Sequence, residues 1–237
     1  MKRGLCGTLI VCLASFTHAQ LSVSSHDLTG SFAATAPFGS TSGDLSRSDP
    51  NGYLAVISEA TLVNATSTES ANFFGVLQSD TIDNGFRTAG FVDADRPVVP
   101  FYEQSHDLFA SVTFELARSA PVRIAGVLAH NPSTSADPIA LLNGTSFGLR
   151  DVDSGALPFE ASVSPIGGSS SLAIDEVIVL PAGRYVADLT SFSRMGAPLS
   201  PGLLDVKVSW DVSVTVVPAS PTLAAAPLGL LALRRRR

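Results

Sequence analysis

Sulfur and indole are nearly absent from this chain. Its two cysteines, Cys6 and Cys12, both fall near the amino terminus, so nothing after residue 12 can form a disulfide or a thiolate metal site. The single tryptophan, Trp210, and the three tyrosines, Tyr53, Tyr102 and Tyr185, are thin material for the exposed aromatic platform a lectin uses. Stretches with helical periodicity are also missing, which excludes a parallel sheet with helical crossovers. Neither H-E-x-x-H nor a P-loop occurs, and no nucleophile elbow is expected.

Basic residues are scarce once the two ends are set aside. The chain has 15 Lys and Arg against 21 Asp and Glu. Six of the basic residues are Lys2, Arg3 and Arg234 to Arg237, which leaves nine against 21 and a net charge of −12 for the body. Such a surface repels phosphates, so nucleic acid is excluded as a partner, and anionic lipid is a poor partner for the body itself.

What is present is concentrated first at the ends. "MKRGLCGTLIVCLASFTHAQ" has Lys2 and Arg3, an apolar stretch from Leu5 to Phe16 and small Ala19 before Gln20, the pattern of a secretory signal peptide cut after Ala19. At the other end, "VVPASPTLAAAPLGLLALRRRR" closes the chain. Its apolar run from Thr222 to Leu233 would span about 18 Å as a helix, well short of the roughly 30 Å hydrocarbon core. The terminal arginines favour the cytoplasmic side, as Lys2 and Arg3 do. Both ends would then be held briefly at an inner membrane, with the body outside.

This ending resembles the PEP-CTERM sorting signal of bacteria that use an exosortase: a proline-containing motif, a short apolar segment and a terminal basic cluster. The resemblance covers about the last 20 residues and rests on Pro218, Pro221, "LGLLAL" and Arg234, Arg235, Arg236 and Arg237. Ala219 and Ser220 stand where the family usually carries a glutamate between prolines. The resemblance implies export, cleavage near Pro218 to Thr222 by an exosortase-type enzyme, and delivery to the cell surface or extracellular matrix. The expected organisation is a signal peptide over 1–19, one β-sandwich domain over 20–217 and a sorting segment over 218–237.

The body reads as all-β, an antiparallel sandwich of jelly-roll type. In "DVKVSWDVSVTVV" the residues Val206, Val208, Trp210, Val212, Val214 and Val216 alternate with polar ones, giving one apolar and one wet face and burying Trp210. Similar runs occupy 110–117, 122–129, 146–151, 176–180 and 184–192. Pro181 to Gly183 predicts a tight hairpin, as do Asn84-Gly85, Asn143-Gly144 and the "DSG" at 153–155. The polar stretches 40–51 and 131–138 predict loops. "SHDL" occurs at Ser25–Leu28 and again at Ser105–Leu108.

Chemistry-bearing residues are few. Asp151 and Asp153 in "DVDSG", and the carboxylates of "VDADRP" at 92–97, alternate in expected loops and could offer hard oxygen ligands; calcium at Asp151 and Asp153 is the one cofactor the sequence admits. Solvated turn aspartates are the preferred account of the same pattern, since Asp bonds its own backbone in turns. His26, His106 and His130 could serve a Ser-His-Asp arrangement but read as surface histidines, and Glu115 sits on a wet strand face. The body is therefore expected to be non-enzymatic. A carbohydrate-binding module that engages extracellular polysaccharide is the second reading, and a secreted hydrolase using His106 or His130 the third.

Overall fold

The structure, a computed structural model, describes residues 20–36, 39–49, 54–63, 70–96, 103–134, 141–164, 169–195 and 204–218. Among them the strands are β1 (Leu21–Ala36), β2 (Gly39–Asp49), β3 (Leu54–Val63), β4 (Ser70–Ile82), β5 (Gly85–Arg96) and β6 (Glu103–Leu116). They continue as β7 (Ala120–Thr134), β8 (Leu141–Asp151), β9 (Phe159–Val163), β10 (Ser170–Leu180), β11 (Gly183–Met195) and β12 (Leu204–Val216). One sheet has the order β2-β1-β6-β11-β8-β9 and the other β10-β7-β12-β5-β4-β3, with every pairing antiparallel. Each predicted strand run lies in one of these elements to within one residue, as where the 110–117 run passes the end of β6.

The winding explains the jelly-roll character. Strands β5, β6 and β7 lie in the second, first and second sheets in turn, and they pair with β12, β11 and β10 respectively. A two-stranded ribbon is thus wrapped around the core, crossing from sheet to sheet at both ends. One crossing is made by the short 117–119 and 181–182 connections, where Leu116 pairs with Gly183 and Ala120 with Leu180.

Alternation decides which side chains meet inside. On β6 the residues His106, Leu108, Ala110, Val112, Phe114 and Leu116 are buried, and on β12 Val208, Trp210, Val212, Val214 and Val216. Phe86 of β5 meets Phe114 of β6 across the sheets at 5.4 Å between ring centroids, and Phe114 stacks on Tyr185 at 5.5 Å. Trp210, only 2% exposed, is core as its alternation predicts.

Several expected turns are strands or corners instead. Pro181 to Gly183 is no hairpin: it carries the chain from β10 in one sheet to β11 in the other, and the Tyr185 hydroxyl braces it by donating to the Pro181 carbonyl at 3.0 Å. A turn sequence specifies a bend, while the sheet that accepts the next strand is a tertiary choice. Asn143-Gly144 lies inside β8, where the Phe192 ring of β11 occupies the space a side chain on residue 144 would need. The 40–51 stretch is mostly edge strand β2, and Asn131 to Thr134 belongs to β7; residues 135–138 lie outside the described residues. "VDADRP" is mainly strand too, since β5 runs to Arg96. Asn84-Gly85 and "DSG" do reverse the chain, with Asn84 at φ 56° in the β4–β5 turn and Gly155 at φ 71° between β8 and β9.

One tight approach fixes the sheet at its centre. A methyl group on Gly90 of β5 would overlap the Trp210 ring and the Val76 carbonyl, so Gly90→Ala forces the tryptophan or a ladder strand to move. The expected loss is about 1–3 kcal/mol, read as a lower urea midpoint at unchanged slope; an unaltered midpoint would contradict the close packing.

Candidate functional site

The three body histidines are not surface residues. His26, His106 and His130 are 0%, 1% and 2% exposed. Each sits in phase with apolar neighbours: "SHDL" in both copies reads out-in-out-in, so His26 turns inward with Leu28 and His106 with Leu108. The signal was present, since His106 continues the inward row to Leu116 and His130 that of Val122, Ile124 and Leu128. Imidazole is scored as polar, which hides the phase.

His26 ties the two sheets together. From β1 its Nδ1 lies 2.6 Å from the Ser79 hydroxyl of β4, and its Nε2 lies 3.1 Å from the Thr81 hydroxyl. Each hydroxyl can donate or accept, so the two contacts suit either tautomer of the ring. Burial lowers its pKa, against the opposing pull of Asp80, Asp49 and Asp27. The pair has nucleophile-to-base spacing, yet both His26 and Ser79 are 0% exposed, and its evident work is to satisfy buried polar groups.

A second polar group fills the core at the end remote from residue 21. His106 of β6 and His130 of β7 are both buried there, one from each sheet, and charge on His130 disfavours charge on His106. Around them Thr145 donates to the Ser191 hydroxyl at 3.4 Å, and Ser193 lies beside His106 in the register. Burial pushes the His106 imidazole down to about 3; Asp107 opposes this, and Arg194 and His130 add to it.

Gly144-Thr145-Ser146-Phe147-Gly148 does have the G-x-S-x-G spacing, against the expectation that no such elbow motif is present. It runs along strand β8 instead of a strand-to-helix turn, so it lacks the elbow that exposes a nucleophile. Thr145 and Phe147 point inward, which turns Ser146 to the outer face, away from both histidines.

The calcium candidates Asp151 and Asp153 lie at the end of β8 and in the loop after it. Asp151 Oδ1 accepts the backbone N–H groups of Asp153 and Ser154, both at 2.9 Å, and this holds its carboxyl below the ordinary range. Its carboxylate organises its own turn, while Asp153 is exposed. Among the described residues no group of three or more His, Cys, Asp or Glu is gathered in metal-binding geometry. Asp93 of β5 pairs with Lys207 at 3.6 Å. Glu115 is exposed as expected, whereas Tyr185 is buried and cannot join an aromatic platform; Tyr53 and Tyr102 lie outside the described residues.

Of the sorting residues, Pro218 is exposed just beyond β12, while Pro221, Arg234, Arg235, Arg236 and Arg237 lie outside the described residues, as does the 1–19 leader. The body nevertheless brings its two ends together. Leu21 pairs with Leu116 at the close of β6, and the Val217 N–H donates to Pro121 at the start of β7. The 117–119 connection joins those strands, so the chain enters and leaves at one pole of the sandwich. The same pole carries the 152–158 loop, bonded through the Val152 N–H to the Arg184 carbonyl, and exposed Val152, Leu157 and Val179 at 37%, 60% and 71%.

The outer face of the first sheet offers a different surface. Phe109 is 37% exposed, between Thr29 and Thr190 in the register. Arg194 makes a fork to Asp107 at 2.7 and 2.8 Å, and Asp188 takes Ser111 and Arg150 at 3.0 and 3.1 Å.

No known family profile matches the chain, and no curated protein matches it. Among solved structures it is similar to the infectious bursal disease virus Gt strain at 12% identity over 86% of this chain and 68% of that one, TM-score 0.24. The VP2 subviral particle of the same virus gives 12% identity over 92% and 74%, also at TM-score 0.24. Likenesses of this size carry no argument about fold or function.

The buried imidazoles set the acid behaviour. His26 and His106 have folded pKa values below the ordinary 6.5, so from about pH 6.5 down toward 3 the unfolded chain binds protons that the folded chain refuses. Stability is therefore full above pH 6.5 and falls as pH falls through that window. Urea midpoints should drop between pH 7 and pH 4.5, and His106→Leu should shrink the drop; equal midpoints for the native chain at both pH values would contradict the neutral buried state.

Proposed function

We propose that this is an exported, non-enzymatic protein of the cell surface or extracellular matrix, sorted through a PEP-CTERM-like carboxyl-terminal signal and processed by an exosortase-type enzyme. The observation that carries the reading is the agreement of the two ends: a basic, apolar leader and a proline, apolar and arginine tail, joined to a body whose Leu21 and Val217 emerge at one pole. A body built this way meets one membrane with both ends at once and needs no segment to cross its length. Its core requires no thiol, which suits a compartment outside the cytosol without depending on oxidation. The core histidines and the Asp151 turn are accounted for by folding, so the reading asks no chemistry of them.

The test is mass spectrometry of the protein recovered from its natural host. The expected product starts near Gln20 and ends between Pro218 and Thr222, and replacing Arg234 to Arg237 by alanine leaves the tail uncut and the protein at the membrane. Intact Arg237 on a cytosolic protein would overturn the reading.

Phe109 favours a second reading, a carbohydrate-binding module for extracellular polysaccharide. Its exposed ring offers a stacking surface, and the flanking Asp107–Arg194 and Asp188–Arg150 pairs offer donors and acceptors to hydroxyls. Glycan-array binding to one glycan class, abolished by Phe109→Ala with an unchanged urea midpoint, supports it. Binding that requires calcium and is lost in Asp151→Asn would assign calcium to that loop.

A further inference from the structure

The sorting reading fixes which way the body faces, and this inference rests on it. Val217 is held at the pole by its bond to Pro121, and the apolar run begins at Thr222. Five residues, even fully extended, reach at most about 18 Å. The headgroup layer takes up roughly 5–7 Å of that distance on each side of the bilayer. With the tail inserted, the pole therefore stands no more than about 11–13 Å above the lipid surface. The leader imposes the same limit, since its apolar stretch ends at Phe16, five residues before Leu21. The sandwich is much longer than either tether: β6 alone, at 14 residues, spans about 46 Å. The remote pole cannot be the one at the membrane.

The pole held there is apolar where it protrudes. Leu157 and Val152 belong to the 152–158 loop, and Val179 precedes the 181–182 corner to which that loop is bonded through Arg184. Pro181 and Ala182 at the corner are exposed as well. The charges beside them are mixed, with Arg118 and Arg184 against Glu115, Asp151, Asp153 and, in the β4–β5 turn bonded to Val216 through Asn84, Asp83. This pole thus keeps part of the body's acidity, and its contact with lipid depends on the exposed apolar side chains. We propose that this pole is a membrane-apposed face: before the tail is cut, Val152, Leu157 and Val179 settle into the lipid interface and hold the sandwich upright.

The absence of thiols from the body makes the test direct. In the full chain carrying Cys6→Ser and Cys12→Ser, one cysteine is introduced at Leu157→Cys, or in a second variant at Val152→Cys, and labelled with an environment-sensitive dye. Ser40→Cys, exposed beside the β1–β2 turn at the remote pole, is the control. Each chain is synthesised with phosphatidylethanolamine–phosphatidylglycerol vesicles and recovered by flotation. The expected result is a blue-shifted dye at positions 157 and 152, shielded severalfold from aqueous iodide and quenched by lipid-borne quenchers, reporting side chains at about the 5–10 Å interfacial depth. The dye at position 40 stays in water. If the chain floats with the vesicles but all three positions report water, the membrane-apposed face is overturned and the tail reading survives. If the chain does not float, the insertion of the tail fails and takes this inference with it.

Discussion

The structure depends on one constraint: the inward faces of a ribbon that crosses between two sheets must meet each other, because no covalent link beyond the backbone holds them. β5–β6–β7 and β12–β11–β10 run beside one another around the core, and Phe86, Phe114, Tyr185, Trp210 and Phe147 fill the space between the sheets. At about 25 cal/mol per Å² of apolar surface removed from water, rings of this size dominate the association. The ribbon also explains why short corners matter. At 117–119 and 181–182 the two chains change sheets together, and a longer connection at either point would loosen the alignment of both.

Only some of the polar groups inside that core are paired; among the described residues the Trp210 Nε1 and Ser193 Oγ are buried without a hydrogen-bond partner, a cost that the paired groups avoid. His26 spans the sheets by meeting hydroxyls on both ring nitrogens, and Thr145 meets Ser191. Such groups give register: a strand slipped by one residue would turn His26 outward and leave Ser79 buried without its partner. Surface ion pairs add little by comparison. Arg87–Asp211 and Arg123–Asp175 are geometrically good but about half exposed, where solvent screens most of their attraction.

The same topology that closes the core sets the geometry of the ends. Because β1 begins beside the close of β6 and β12 finishes beside the start of β7, the entry and exit points coincide without any special feature at either terminus. Function, on the sorting reading, is then a matter of orientation: a folded body with one end committed to a membrane and two broad sheet faces left clear of it. Phe109 on one of those faces is the kind of exposed ring such an arrangement would present outward.

The carboxyl-terminal half of the fold was legible because its strands carry strong two-residue contrast; β12 sets seven apolar residues against polar neighbours without a break. β1 hides its pattern, since a bulge between Val23 and Ser25 shifts the phase from Leu21 and Val23 to His26 and Leu28. β2 has no apolar phase to find, being an edge strand of serine, glycine and aspartate whose order comes from pairing with β1. Sequence alone determined the period of the main strands, the burial of Trp210 and the Asn84 turn, all of which are set by neighbours a few residues apart. Only the tertiary structure decided that Pro181–Gly183 changes sheets, that Asn143-Gly144 stays extended beneath Phe192, that three histidines are buried, and that both ends share a pole. Each of those depends on which strand lies alongside, and that choice is made by the packing of residues distant in the chain.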